Sequence, residues 1–342
     1  MINSCTWCLV PLLLCAAIAS GVPVLSAQTL HLVPVGSIPG PADWIEVKGG
    51  YAYVAGGKTF TVFDITDPAA PKRQGSYTFP ERIWGFRVVG SLVYVAADVF
   101  GLGILDVSNP AEPTLRGSFK TPGQAKNVAL FGTKALVADH MSGLDILDVS
   151  NVAKPASLGS FFLEGYARDV AIVNAFAYAV DAPSGLYTFD LSKGDPLEAV
   201  STIQSPNKDR GSPLHPSIEL PAGSTGEPPT IACVVRSESL QIYDISNPRE
   251  PVSAATYRTP SGRPQRVALS GKLAYVADGQ EGLLILDLAA PAKPRVVDTF
   301  KTPGPARDVT VADSLVFVVI GDLRTDSRSP SGREVLILRR NP

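Results

Sequence analysis

"GLGILDVSNPAEP", residues 101–113, returns 42 residues later as "GLDILDVSNVAKP", residues 143–155. In both copies an aspartate, Asp106 and then Asp148, stands where an apolar run meets a turn. Shorter echoes are "TVFDITDP" (Asp64), "YTFDLSKG" (Asp190), "QIYDISNP" (Asp244) and "LILDLAAP" (Asp287), so the six aspartates are separated by 42, 42, 42, 54 and 43 residues. A seventh copy, "EVLILRRNP", ends the chain with Arg339 in the aspartate's place, 52 residues after Asp287. A period of about 40–50 residues is that of a four-stranded propeller blade.

One unit, "ARDVAIVNAFAYAVDAPSGLYTFDLSKGDPLEAVST", predicts four strands over residues 167–173, 176–180, 186–191 and 197–202, with a turn at Asn174. Runs such as "LVYVA" (92–96) and "LLILDL" (283–288) are apolar on both faces, so each small sheet must be covered on both sides. Sheets stacked face to face around an axis meet that demand. The expected fold is all-β: a seven-bladed β-propeller of four-stranded antiparallel blades. Beyond residue 27 there are 315 residues, 45 for each of seven blades. The last copy lacks a fourth strand, whereas "TLHLVPVGSIPG" (29–40) resembles the fourth strand in "PTLRGSFKTPG" (113–123) with nothing before it. The N-terminal strand is therefore expected to close the ring and cover an open edge.

The stretches "LVYVAADVFGLGILDVSNPAEPTLRGSF" and "KLAYVADGQEGLLILDLAAPAKPRVVDTF" resemble the LVIVD-repeat family. The resemblance spans nearly all of residues 28–342 and implies a propeller of the kind found in exported and cell-surface bacterial proteins. It implies no particular reaction. Blade five departs from the pattern with a diverged first strand and the proline-rich residues 205–229, and blade seven carries the long loop 321–334.

With 30 Lys+Arg against 32 Asp+Glu, the chain has no electrostatic case for nucleic acid. Residues 1–27 contain no charged side chain, and "CLVPLLLCAAIA" (8–19) has the length of a secretory apolar core rather than of a transmembrane helix. Cleavage is expected after Ala19 or Ala27, the latter next to the start of the repeats. The protein is then exported to the periplasm, cell surface or exterior, with no integral membrane segment after processing. Acylation at Cys15 is disfavoured by the bulky Leu14 before it. Cys5, Cys8 and Cys15 leave with the leader, so Cys233 stands alone and core burial must supply stability in an oxidising compartment.

The recurring aspartate opens "DVSNP", whose residue types build Asx turns. Six copies around a ring cannot converge on one substrate, so the reading is architectural. Candidate ligand residues gather instead where first strands begin and where second strands join third strands, over the mouth of the axial channel. These are Trp44, Trp84, Arg87, Lys126, Arg168, Arg266 and Arg307 on one set, and Asp98, Asp139, His140, Asp181, Asp278 and Asp322 on the other. Such a mixed rim suits a polar or anionic ligand, and the expected contact surfaces for a protein partner are the two irregular loops, residues 205–229 and 321–334, which break a tight repeat. Against that stands the hairpin register, which pairs Lys126 with Asp139 and Arg168 with Asp181 as cross-strand ion pairs and sets Arg307 opposite Ile320.

No metal site is expected, since His31, His140 and His215 fall on separate elements. No cofactor motif, nucleophile elbow or phosphate-binding glycine loop is present, and Cys233 lies in the apolar strand "TIACVV". The leading expectation is a non-catalytic binding protein. The rival is a propeller hydrolase or lyase using acid-base groups at the channel mouth.

Overall fold

In the computed structural model, residues 30–182, 185–194, 197–204, 217–219, 230–236, 238–321 and 333–341 are described. They form seven four-stranded antiparallel sheets, six of them in simple sequence order. The first strands of blades one to seven are Trp44–Lys48, Gly85–Val89, Asn127–Phe131, Tyr166–Val173, Ser217–Glu219, Arg266–Ser270 and Ala306–Ala312. In the seventh sheet, His31–Pro39 is the outer strand, paired with Glu334–Asn341. The ring is closed by the N-terminal strand.

The two-faced apolar strands explain the stacking. A buried cluster fills every joint: Phe60, Phe86 and Val95 between blades one and two, and Ile104, Val128 and Val137 between two and three. The set continues around the ring to Ile38, Ile45 and Phe317 between seven and one. Burial at about 25 cal/mol per Å² of apolar surface makes these joints the main source of stability. Cys233 belongs to one of them and is fully buried.

First-to-second strand turns need a left-handed residue. Gly90, Gly132 and Gly271 supply it in three blades, and Asn174 and Asp313, types that tolerate αL, supply it in two others. At the end of each third strand the recurring aspartate accepts the backbone N–H two residues on, as in Asp106 from Ser108 at 2.9 Å and Asp148 from Ser150 at 2.8 Å. Asp64, Asp190, Asp244 and Asp287 repeat the bond. Together with hydrogen bonds from the hydroxyl of the same residue, the largest cause at Asp106, Asp190 and Asp244 and present also at Asp64 and Asp148, these bonds hold all six carboxyls below the usual aspartate range. The recurring aspartate is an Asx-turn residue.

Residues 1–29, with Cys5, Cys8, Cys15 and the expected leader over residues 1–27, lie outside the described residues. So do His215, Asp322, most of loop 205–229 and residues 322–332 of the other long loop.

Candidate functional site

First strands run along the axis, so the residue at which each begins is set at one mouth of the channel. The backbone N–H groups of Asp43, Trp84, Lys126 and Gln265 each bond the second-strand carbonyl of Ala55, Ala96, Ala138 and Ala277, which puts the four at one level. Blades four and seven reach this level through a β-bulge, between Ala167 and Asp169 and between Ala306 and Asp308. The bulged residues are Arg168 and Arg307. Two expectations are corrected here: Asp181 faces Ala167 rather than Arg168, and Ile320 faces Ala306 rather than Arg307. An extra residue in one strand breaks the arithmetic of a regular hairpin and re-aims a side chain.

These residues line an open pocket of about 740 Å³, solvent at its mouth included, together with Trp44, Arg82, Ile83 and Arg266. Five of the lining side chains are cationic, Arg82, Lys126, Arg168, Arg266 and Arg307, and Asp43 is the lone carboxylate among them. Arg266 forms a bridge across the axis. Its guanidinium stacks 3.6 Å from the ring centre of Trp44 in blade one, lies 3.3 Å from Asp169 of blade four, and 3.9 Å from Asp308 of its neighbour, blade seven. Asp308 also accepts the N–H of Ile45 at 3.0 Å, and Asn127 donates to Asp169, so this layer ties blades together.

Trp84 carries a cation near its ring from two directions, Lys126 Nζ at 4.2 Å and Arg82 at 4.6 Å from the centroid. Its Nε1–H donates to Asp98 at 2.7 Å, and Lys126 sits 3.7 Å from the same carboxylate. Lys126 thus pairs with Asp98 of blade two rather than with Asp139 of its own hairpin. Asp98 turns toward the pocket because it lies one residue later than Asp139 in the repeat, at the left-handed position that His140 and Gly279 also hold. Only 7% exposed and flanked by Arg168 and Arg82, Lys126 has its pKa brought down to about 8, burial being the largest cause. Burial also lowers the pKa of Arg168, whose Nε is buried without a hydrogen-bond partner.

Other residues of the predicted rim stand outside this lining. Asp139 and Asp181 are fully buried and hold the loop that enters their own blade, Asp139 through Thr121 Oγ1 (2.7 Å) and the N–H of Gly123, Asp181 through the N–H of Gly165 at 2.8 Å. Asp278 does the same for Ser261. Asp145, beside Asp139, has its carboxyl pushed up to about 7, first by burial and then by the Asp139 charge. Arg87 lies deeper in the channel, where its charge acts on buried Glu46. His140 stacks on Tyr166 at 4.7 Å and is pushed down to about 4, first by burial and then by Arg168 and Lys126, so it is neutral at pH 7. Among the described residues no group of three His, Cys, Asp or Glu is placed to hold a metal. No described helix is long and apolar enough to cross a membrane.

Sequence reasoning missed Asp43, Arg82 and Gln265. Asp43 and Gln265 were legible by aligning the repeats on Lys126; Arg82 precedes its strand and had no signal.

The fold has clear relatives among solved structures. The β-propeller domain of Cps50 (Swd1) from Myceliophteria thermophila superposes with a TM-score of 0.69 at 11% identity, covering 90% of this chain and 99% of that one. BamB from Moraxella catarrhalis gives 0.56 at 12% identity, covering 90% and 98%, and the computationally designed Ika8 protein 0.59 at 10%, covering 86% and 83%. At such identities the likeness is one of fold. No curated protein compared with the chain matches it. The LVIVD repeat model matches residues 39–79, 84–121, 122–162, 164–195, 231–259 and 261–302, more than half of the sequence, and the chain belongs to the LVIVD-repeat family.

Proposed function

We propose that this is an exported, non-catalytic binding propeller of the cell envelope or exterior, and that it holds an anionic group at the axial channel mouth. The observation that carries the reading is the pocket: five cationic side chains and one carboxylate in its lining, two tryptophans beside them, and Arg168 Nε buried without a partner. Arg82, Lys126 and Arg266 already face Asp43, Asp98, Asp169 and Asp308, while Arg168 keeps its buried Nε without a hydrogen-bond partner, so an anion at the mouth is stabilised by that group and by the field of the cationic lining. Export is supported by the uncharged apolar stretch over residues 1–27.

Calorimetric titration with inorganic phosphate and with citrate tests the reading. Binding is expected for the wild type, weakened by roughly tenfold or more in Arg168→Gln and in Lys126→Gln, as fits the loss of one charge-assisted bond. Absence of binding by both anions at low ionic strength would overturn it.

The rival reading, a hydrolase or lyase, is favoured by one observation, the Lys126 amine brought down to about 8 inside a pocket. Two ionisable residues of the rim that acid-base chemistry would draw on serve it poorly. Asp181 is occupied by Gly165, and His140 lies outside the lining. Turnover of a carbohydrate or small ester by the wild type, lost in folded Lys126→Gln, would replace the binding reading.

A further inference from the structure

Blade three breaks the repeat beside the pocket. Residues 119–124 read "FKTPGQ" and residues 300–305 "FKTPGP", but the matching residues 161–166 read "FFLEGY". Phe162 therefore stands where Lys120 and Lys301 stand in blades two and six, and Tyr166 stands where Gln124 and Pro305 do. In the loop joining second and third strands, Met141 takes the place held by Gln280 in blade six and Val99 in blade two. At this joint all three positions carry large apolar or aromatic side chains, and they are in solvent: Phe162 is 74% exposed, Met141 66% and Tyr166 43%.

The repeat itself shows that these positions are neighbours. In blade six Lys301 Nζ reaches the carbonyl of Gln280 at 2.7 Å. In blade three a side chain on Gly143 would strike the backbone of Phe161 and Leu163, so the Met141 loop and Phe162 are held together in the same way. Tyr166 is joined to that loop by its stack on His140 and by the bridge of His140 to Ala167. The patch lies on the same face of the propeller as the pocket. Arg168 follows Tyr166 by two residues, and its charge, with that of Lys126, is felt at His140. An exposed apolar cluster rimmed by polar groups marks an interaction surface, and here it shares a face with a cationic cleft.

We infer that the partner is a peptide segment that sets a carboxylate against Arg168 and Lys126 while an adjacent aromatic or aliphatic side chain lies on Phe162, Met141 and Tyr166. This rests on the anion reading above and adds to it the class of partner. A free phosphate or a sugar acid supplies the charge but leaves the apolar patch bare. A peptide with neighbouring acidic and apolar residues matches both halves of the surface.

The test uses an array of blocked pentapeptides with Glu at the centre and Ala, Ser, Leu or Phe on either side, read by binding to the full chain. Inorganic phosphate is the second probe. Leu- or Phe-flanked peptides should bind roughly tenfold tighter than Ala-flanked ones, the scale of burying one large apolar side chain. Phe162→Lys and Met141→Gln install residues that the fold already carries at equivalent places, so folding is retained. Both should remove the preference; Met141→Gln, which adds no charge, should leave phosphate affinity unchanged, while Phe162→Lys should leave it unchanged or slightly raised. Arg168→Gln should weaken every peptide and phosphate alike. If Leu-, Phe- and Ala-flanked peptides bind equally, or if Phe162→Lys keeps the preference, the inference falls and the anion reading stands. If neither peptides nor phosphate bind, both fall. Concentration-dependent dimerisation abolished by Phe162→Lys would assign the patch to a second copy of the chain and overturn the peptide.

Discussion

The same strands build both mouths of the axial channel, yet the two ends differ. At the far end, six first strands place Val47, Val88, Leu130, Ile172, Leu269 and Val311 in matching register, all aliphatic. At the near end the residues at the matching level where these strands enter are Asp43, Trp84, Lys126, Arg168, Gln265 and Arg307, four of them ionisable and no type in the majority. The far-face loops are uniform too, since the third-to-fourth turns there repeat one Asx bond. A repeat protein needs sameness only where each blade solves the same packing problem. Where sameness is abandoned on a rigid scaffold, packing no longer dictates the residue, and function is free to do so.

The sharpest way to break this contrast is to remove a buried charge at the near end. Asp308 accepts Ile45 N–H and faces Arg266, which in turn reaches Asp169. Asp308→Ala leaves Arg266 with a diminished partner set and cuts a tie from blade seven to blade one. Stability should fall by about 3–5 kcal/mol in urea denaturation. Val89→Ser at the far end, where Val89 is exposed, should change it by less than about 0.5 kcal/mol. Equal effects would mean that the near end is not the electrostatic hub described.

A smaller effect separates the two ends by pH. Lys126 titrates at about 8 in the free protein, and an anion beside it must raise that value. Binding then draws in a proton above pH 8. Phosphate or citrate affinity should be flat with respect to Lys126 below that value and fall by up to about tenfold per pH unit above it, levelling at the pKa of the complex. Titration at pH 8.5 in two buffers of different ionisation enthalpy reads the proton directly. Lys126→Gln should abolish the uptake, whereas Lys48→Gln, whose ammonium bonds Val88 O at the far end, should leave it intact.

How much of this was legible follows the same division. The blade count, the closing strand and the Asx turns could be read because repetition exposes what every blade shares. Most of the cationic lining was legible as well, since it sits at strand starts. Its partners were not. Hairpin arithmetic sees one blade, so it matched Lys126 to Asp139, while the carboxylate beside Lys126 is Asp98 from the previous blade. The bulges at Arg168 and Arg307 leave no mark on the sequence, because an extra residue in one strand shows only against its partner. Phe162 was visible as a break in "FKTPG", but its exposure was not.

Asp145 tests the near-face loops at a scale of about 1 kcal/mol. Its equivalents are Gly103 and Leu284, so blade three alone among these sets a second carboxyl against the loop-holding aspartate. The folded pKa of Asp145 is raised above the unfolded value, so the folded state is favoured while the group is protonated. That advantage is lost as pH climbs from the ordinary aspartate range through the raised value. Asp145→Asn keeps a donor toward Asp139 without the charge. It should be more stable than the wild type at pH 8 by at least about 1 kcal/mol and close to it at pH 4, as read by denaturation midpoints.

The smallest effect belongs to the feature that announces the fold. Asp106 lies on the far face, accepts Ser108 N–H at 2.9 Å, and sits 3.5 Å from Arg116, largely in water. Solvent screens that ion pair, so only the turn-setting bond is worth counting. Asp106→Ala should cost at most about 1 kcal/mol, and nothing in phosphate affinity or in peptide preference. Five other blades keep their own Asx turns, and each joint is held by its apolar cluster rather than by the turn. A loss of ligand binding in a folded Asp106→Ala protein would mean that the far face speaks to the near one through the blade, and the division of labour between the two mouths would have to be abandoned.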